Sequence, residues 1–359
     1  MKKKKKPNLH LLIPTLNLAG GAEKIFHMLC QHLDPEKATI SIILLDTSTY
    51  PLPQVPPHIT IYDLNCQRQR YTAWPLWRHL MKTKPDIILS THFPLDILLS
   101  ILSHFLTYKP KLISRCITSP LHLNAHKVLN TLYKLSINHF HSIIAQSQDM
   151  KNILQRYIKG PKKIIPITNP IDHHEIINFN TQIPPKEYDN DSIKLVSIGR
   201  LSQEKNFEFM IKSMTQLSPK FKLYILGNGE LKPHLSSLIS QLKLSNRVFL
   251  LGHKTPVYSY LFHADLFLST SKYEGCPNAV IEALSCGLPV ISLNYGAIYD
   301  LIEHEKNGLI VTKQDPNVFS DATEKAHHLS FNRPKIQKEA LIKHSLNHTI
   351  QEYEDVLYK

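Results

Sequence analysis

The chain has 359 residues, 42% of them hydrophobic and 20% charged, with a net charge of +13. That length holds two α/β domains with separate cores, and the composition excludes a disordered chain. Five cysteines (Cys30, Cys66, Cys116, Cys276, Cys286) form no C-x-x-C pair, which argues against a disulfide framework or zinc site and suits a reducing compartment.

The start, five lysines and then an apolar run from Leu9 to Leu18, has the outline of a signal peptide. His10, Pro14 and Asn17 interrupt that run, and Gly20-Gly21-Ala22-Glu23 continues directly into a helix pattern. Residues 8–14 are therefore read as the first buried strand. The longest apolar region, Asp86 to Tyr108, contains His92, Pro94, Asp96 and His104, and breaks into a strand and a helix rather than a membrane span of about 20 residues. In this half, strands are expected near 8–14, 39–45, 86–90, 111–114, 141–146 and 163–167, and helices over 21–33, 95–107, 124–138 and 149–158. The polar, Pro-bearing stretch 173–192 reads as a linker. Beyond it, strands are expected near 193–198, 221–226, 247–251, 265–269, 289–292 and 308–311, and a helical tail over 336–359. This alternation predicts an α/β protein of two Rossmann-like, doubly wound domains, residues 1–172 and 193–335, facing a cleft, with ligands at the carboxyl ends of the strands.

The charge is uneven. Residues 1–172 hold 22 Lys/Arg against 9 Asp/Glu, whereas residues 173–359 hold 20 of each, so the first half alone is suited to an anionic partner. Within it, the segment Arg68 to Arg78 places Trp74, Trp77, Arg78 and Met81 at helical spacing. Both a helix lying on a membrane surface and one packed on the sheet fit that spacing.

Three stretches of the second half carry chemistry. Gly199-Arg200-Leu201-Ser202-Gln203-Glu204-Lys205-Asn206 follows the first strand and puts Lys205 at the entrance of a helix over Phe207 to Leu217. A cation there opposes the helix dipole, which is easier to account for if an anion meets both Arg200 and Lys205. Gly227-Asn228-Gly229 follows the next strand; alone it is weak, since any tight βα turn favours glycine. Finally, Glu274 and Glu282 are eight residues apart in Glu-Gly-Cys-Pro-Asn-Ala-Val-Ile-Glu. Gly275 and Pro277 put Glu274 in the loop before a short helix, 278–285, with Glu282 inside it, and Pro277 suits a first helical position. The N–H groups between them, at Gly275, Cys276 and Asn278, make an anion site at a helix N-terminus. Two carboxylates for hydroxyls with an anion site between them suit a sugar nucleotide.

This last run resembles the Glu-x7-Glu signature of the retaining glycosyltransferases of family 4, which have the GT-B fold. Gly199–Lys205 is similar to that family's Gly-Arg-x-x-x-Glu-Lys motif, and Gly20-Gly21-Ala22-Glu23 to its Gly-Gly-Ala-Glu loop. The resemblance spans nearly the whole chain, with Asn169-Pro170-Ile171-Asp172 at the hinge and the tail bracing the first domain. It implies that Arg200 and Lys205 bind the donor diphosphate and that Glu274 contacts the donor sugar. It further implies that Glu282 contacts the ribose and that Gly227, Gly229 and backbone near Val248 lie by the nucleotide, although Val248 reads equally well as part of an ordinary buried strand. Gly20 and Gly21 would lie between donor phosphate and acceptor. There are departures: Tyr295-Gly296-Ala297-Ile298-Tyr299-Asp300 replaces Gly-Gly-x-x-Glu, and Ser114-Arg115 stands where many members have a His. His92, at the end of another strand, either faces the cleft or is structural.

The resemblance thus implies retaining transfer from a UDP- or GDP-sugar, without metal or cofactor, to a glycan or a polyprenyl- or lipid-linked acceptor in surface polysaccharide or glycolipid assembly. With the basic first half it implies a cytoplasmic protein at the inner membrane face, with no nucleic acid as partner. A nucleotide-sugar epimerase of the same fold and a nonenzymatic basic binding protein are the alternatives; the second leaves Arg200, Lys205, Glu274 and Glu282 unexplained. Asp189-Asn190-Asp191 has the form of a metal-binding D-x-D but sits in the linker, and His173-His174 lacks companion ligands at metal spacing.

Overall fold

The computed structural model describes the chain apart from residues 1–4, 18–19, 49–50, 118–126, 159, 161–162, 172–175, 177–178 and 180–182. It divides into two units, residues 1–169 with 347–359, and residues 170–346.

The first unit is built on β1 (Asn8–Ile13), β2 (Thr39–Leu44), β3 (Thr60–Asp63), β4 (Ile87–Thr91), β5 (Lys111–Cys116), β6 (Ser142–Ala145) and β7 (Lys163–Pro166). All pair in parallel, in the order β3-β2-β1-β4-β5-β6-β7. Helices α1 (Gly21–His32), α2 (Ala73–Thr83), α3 (Phe93–Ser103), α4 (Lys127–Ser136) and α5 (Gln148–Gln155) connect them. A strand covered on both faces reads as one apolar run, and Leu9, Leu11, Leu12 and Ile13 of β1 are all fully buried. Strand β3 escapes the sequence reading because Thr60-Ile61-Tyr62-Asp63 is a half-exposed sheet edge. Helix α3 starts at Phe93 rather than residue 95, with Pro94 in its first turn, where a missing N–H is harmless.

The second unit contains β8 (Ile193–Ile198), β9 (Phe221–Leu226), β10 (Val248–Gly252), β11 (Leu266–Ser269), β12 (Val290–Leu293) and β13 (Gly308–Val311). They form a parallel sheet ordered β10-β9-β8-β11-β12-β13. Its helices are α6 (Phe207–Ser213), α7 (Lys232–Gln241), α8 (Tyr258–His263), α9 (Asn278–Ser285), α10 (Pro316–His328) and α11 (Arg333–Lys343). Helix α6 ends at Ser213, short of the expected Leu217, where the Ser213 hydroxyl bonds back to the Phe209 carbonyl.

The tail is two helices, not one. Helix α11 buries Ile336 and Ala340 in the second core, and Arg333 donates to the carbonyls of Ala264 (2.9 Å), Phe262 and Gly287 (both 3.2 Å). Only α12 (Leu346–Tyr358) belongs to the first unit. There Glu354 accepts from Lys37 Nζ at 2.6 Å and the Asp34 N–H at 3.1 Å. No proline or glycine marks the break at His344-Ser345, so the sequence conceals it. Asp189 of the D-x-D is occupied structurally: it pairs with Lys222 and accepts from the Asp191 N–H. Asp172, His173 and His174 lie outside the described residues.

Asp96 on α3 is a buried acid of the first core. Its two oxygens accept from Ser90 Oγ at 2.5 Å and Ser114 Oγ at 2.8 Å, whose residues face each other across β4 and β5. Burial pushes its carboxyl up to about 7, while the serine hydroxyls act in the opposite direction. A carboxyl raised on folding contributes stability below its ordinary value near 3.8 that is lost as pH rises through about 7. Asp96→Asn imitates the protonated acid and escapes that loss. The variant should gain on wild type by several degrees in melting midpoint between pH 5 and pH 8; a pH-independent difference would exclude this ionisation.

Candidate functional site

In the second sheet the strand order reverses between β8 and β11, leaving a crevice at their carboxyl ends. The segment after β8 carries Arg200 and Lys205, and the segment after β11 carries Glu274. Hydrogen bonds lace the two together: Thr270 Oγ1 donates to the carbonyls of Lys205 and Asn206, both at 3.1 Å, and the Lys272 N–H donates to Glu204 O at 2.8 Å. Asn206 turns the chain into α6 in the left-handed conformation, φ 55°. Lys205 Nζ then lies 2.7 Å from Glu274 Oε2, and Ser271 Oγ donates to Glu274 Oε1 at 2.6 Å. Both side chains are largely buried, 23% and 16% exposed, so the pair is screened less than a surface contact. A recess lined by Lys205, Ser271, Glu274 and Pro277 occupies this place.

Arg200 stands at the same turn but is exposed, and its guanidinium makes no hydrogen bond or ion pair among the described residues. Glu204 beside it is held below the usual carboxylate range, first by the Ser202 hydroxyl and its own backbone, then by Arg200 and Lys205.

Gly227 and Gly229 have a reason of their own. A Cβ on Gly227 would lie 2.0 Å from the Gly199 carbonyl oxygen, and one on Gly229 2.4 Å from that of Leu201. The Leu201 N–H donates to Asn228 O at 3.0 Å. The Gly-x-Gly turn is therefore pressed against the Gly199–Leu201 turn, and its glycines set where Arg200 emerges.

The entrance of α9 differs from expectation. Pro277 (φ −81°, ψ 85°) caps the helix rather than beginning it, and centres a tight turn in which the Asn278 N–H donates to Cys276 O at 3.1 Å. The Asn278 N–H is thus engaged within the chain. Gly275 and Cys276 lie between Glu274 and this cap, and Glu282 is half-buried just over a turn into α9. Val248 is not brought to the group. It opens β10 at the amino end, is 3% exposed and packs into the core; the other end of that strand, Gly252, bonds to Gly227. Ser271, Thr270 and Tyr295 have no sequence signal that marks them as neighbours of this group. Tyr295 is buried beside Ser269 (Oη–Oγ 3.2 Å), its phenol pushed well above its usual range by burial and then by the Glu274 charge.

In the first sheet the order reverses between β1 and β4. Gly20 and Gly21, after β1, cap and begin α1, with Glu23 in its first turn; Leu18 and Ala19 of that loop lie outside the described residues. His92, after β4, has φ 73° and ψ 121°, a conformation nearly confined to glycine. Among the described residues its Nδ1 is enclosed without a hydrogen-bond partner. Burial holds the imidazole below its usual range, the Glu23 charge opposes this, and Arg115 adds to it. Ser114 and Arg115 are both turned to structural use. Ser114 holds Asp96, and the buried Arg115 donates through Nε to Tyr353 Oη at 2.8 Å and through Nη2 to Asn169 Oδ1 at 2.6 Å.

Residues 178–343 match the family described as glycosyl transferases group 1, and residues 19–175 match glycosyltransferase family 4. The chain belongs to this family of glycosyltransferases, family 4 or group 1, and has their GT-B fold. Over 175 residues it is 39% identical to an uncharacterized glycosyltransferase of Methanocaldococcus jannaschii, covering 46% of this chain and 43% of that one. Over 173 residues it is 30% identical to the N-acetylgalactosamine-N,N'-diacetylbacillosaminyl-diphospho-undecaprenol 4-alpha-N-acetylgalactosaminyltransferase of Campylobacter jejuni, covering 47% and 46%. The match spans under half the length of either relative. Among solved structures, sucrose-phosphate synthase of Thermosynechococcus elongatus superimposes with a TM-score of 0.82 at 15% identity over 98% of both chains. HepE of Anabaena, solved with UDP-glucose, does so with 0.76 at 19% over 98% and 99%.

The strain at His92 reverses the usual order of two substitutions. In ordinary backbone alanine is more stable than glycine by about 0.5–1 kcal/mol, but at φ 73° it keeps the strain that glycine releases. His92→Gly should therefore melt above His92→Ala by about 2–4 °C. An alanine variant as stable as the glycine variant would refute strain at this residue.

Proposed function

We propose that the protein transfers a sugar, with retention at the anomeric carbon, from a UDP- or GDP-sugar to a glycan or a polyprenyl- or lipid-linked saccharide, in assembly of a surface polysaccharide or glycolipid. The observation that carries this reading is the pairing of Lys205 with Glu274 at the strand-order reversal of the second unit, in the turn that also bears Arg200, which has no ion-pair partner among the described residues. As the glycosidic bond breaks, negative charge grows on the leaving diphosphate and positive charge on the sugar ring. Arg200 and Lys205 meet the first, in a partly buried site where charge acts more strongly than in water. Glu274 is oriented by Ser271 and Lys205 to hold the sugar hydroxyls and favour the second. Glu282, Gly275 and Cys276 complete the donor side around the nucleotide, and the two cations make a metal unnecessary for diphosphate binding.

The acceptor belongs to the first unit, with Gly20, Gly21 and His92 at its strand-order reversal. The Campylobacter relative's name describes a diphospho-undecaprenol-linked acceptor, which agrees with this part of the reading. No helix among the described residues is long and apolar enough to cross a membrane, and the reading places the protein at the inner face of the cytoplasmic membrane.

The test is calorimetry with UDP and GDP, then turnover once a donor and acceptor are found. Arg200→Ala or Lys205→Ala removes a charge-assisted contact and should weaken nucleotide binding about 10- to 150-fold. Glu274→Gln should leave bare-nucleotide affinity nearly unchanged and depress turnover, while Glu282→Ala should weaken nucleotide and sugar nucleotide alike. Unaltered nucleotide affinity in both cation variants removes them from the site. Donor consumption without an acceptor, yielding an epimeric sugar nucleotide, would replace transfer by epimerisation.

A further inference from the structure

Twelve large apolar side chains are exposed among the described residues, and eight of them lie between Tyr71 and Leu135. These are Tyr71 and Trp74 at α2, Ile101 and Phe105 at the end of α3, and Val128, Leu129, Leu132 and Leu135 on α4. The three helices cover one face of the first sheet. Leu76 and Leu80 of α2, Leu95 and Leu99 of α3 and Tyr133 of α4 enter one core cluster, and α3 packs against both neighbours. The other side of this layer is therefore outward. On α4, Val128, Leu132 and Leu135 follow the helical repeat along the side away from the buried Tyr133, where a surface helix ordinarily carries polar residues. Stacking of Trp74 on Trp77 (5.0 Å) and the bond from Trp77 Nε1 to Phe105 O (3.2 Å) join α2 to the end of α3.

The exposed charge on these three helices has one sign. Helices α2 and α4 contain no Asp or Glu, and the one acid of α3, Asp96, is buried. Arg68, Arg70, Arg78, Lys82 and Lys109 are exposed around the apolar residues. A second copy docked by the same face would set cation against cation. Apolar and aromatic side chains rimmed by arginine and lysine suit the interface of an anionic bilayer, where the rings enter the acyl boundary and the cations meet headgroup phosphates.

We infer that the outer face of α2, α3 and α4 is the surface by which the protein docks onto an anionic lipid bilayer. This deepens the proposed transfer by naming where a lipid-linked acceptor would be met, and it adds α3 and α4 to the Arg68–Arg78 segment. Docking itself requires no turnover. The test is co-sedimentation of the full chain with phosphatidylglycerol-containing vesicles and with pure phosphatidylcholine vesicles, at low and high salt. Wild type should bind the anionic vesicles, lose most of that binding at high salt, and leave the neutral ones largely unbound. L132E and L135E, at exposed positions, should each reduce anionic binding about tenfold or more, and R70A or R78A about fivefold. UDP affinity should be unchanged in all four, which separates docking from the donor site and verifies the fold. Absence of binding to anionic vesicles at low salt, or wild-type binding by the leucine variants, would overturn the inference. So would a wild-type dimer that L132E dissociates, since that assigns the face to a second copy.

Discussion

The direction in which connections leave a parallel sheet decides where this molecule can hold a ligand. At each reversal of strand order, β1/β4 in the first unit and β8/β11 in the second, neighbouring loops leave to opposite faces and a crevice remains. Gly20, Gly21 and His92 belong to the first reversal, and Arg200, Lys205 and Glu274 to the second. Residues that are 69 positions apart, Lys205 and Glu274, meet because β8 and β11 are neighbours.

Around that meeting the backbone does the positioning. The two turns after β8 and β9 lie so close that glycine is needed on one of them, and Thr270 binds two carbonyls of the opposite segment. Such contacts, with the Ser271 hydroxyl on Glu274, fix Lys205 and Glu274 against each other within the folded chain. The first unit shows an opposite economy. Its His92 holds an unfavourable backbone conformation, and such strain persists only where the surrounding structure overdetermines it.

Most strands were legible because burial on both faces writes continuous apolar runs such as Leu9-His10-Leu11-Leu12-Ile13 and Lys194-Leu195-Val196-Ser197-Ile198. The segments bearing Arg200, Lys205 and Glu274 were legible because Gly and Pro punctuate them. Edge strand β3 was not, since half-exposure dilutes its pattern. The tail reads as one element because nothing in its composition announces the division between α11 and α12. Val248 was open to two readings, the nucleotide's neighbour that the resemblance implies and an ordinary buried strand residue, and its place in the core of β10 fits the second. The turn at Pro277 was missed because φ near −65° suits a cap and a first helical residue equally. The strain at His92 had no sequence signal, as histidine ordinarily avoids that conformation.

The first unit is not continuous in the chain: it stops at Asn169 and resumes at Asn347. Arg115 and Lys37 have their partners Tyr353 and Glu354 in the resumed piece. During synthesis the first half waits for residues 347–359, roughly 180 positions later and on the order of 10–40 s at ordinary translation rates. Throughout that interval the Arg115 guanidinium lacks the Tyr353 hydroxyl. The usual order of domain completion, amino-terminal first, is therefore inverted here, and the unit that begins first is the last to have all its parts.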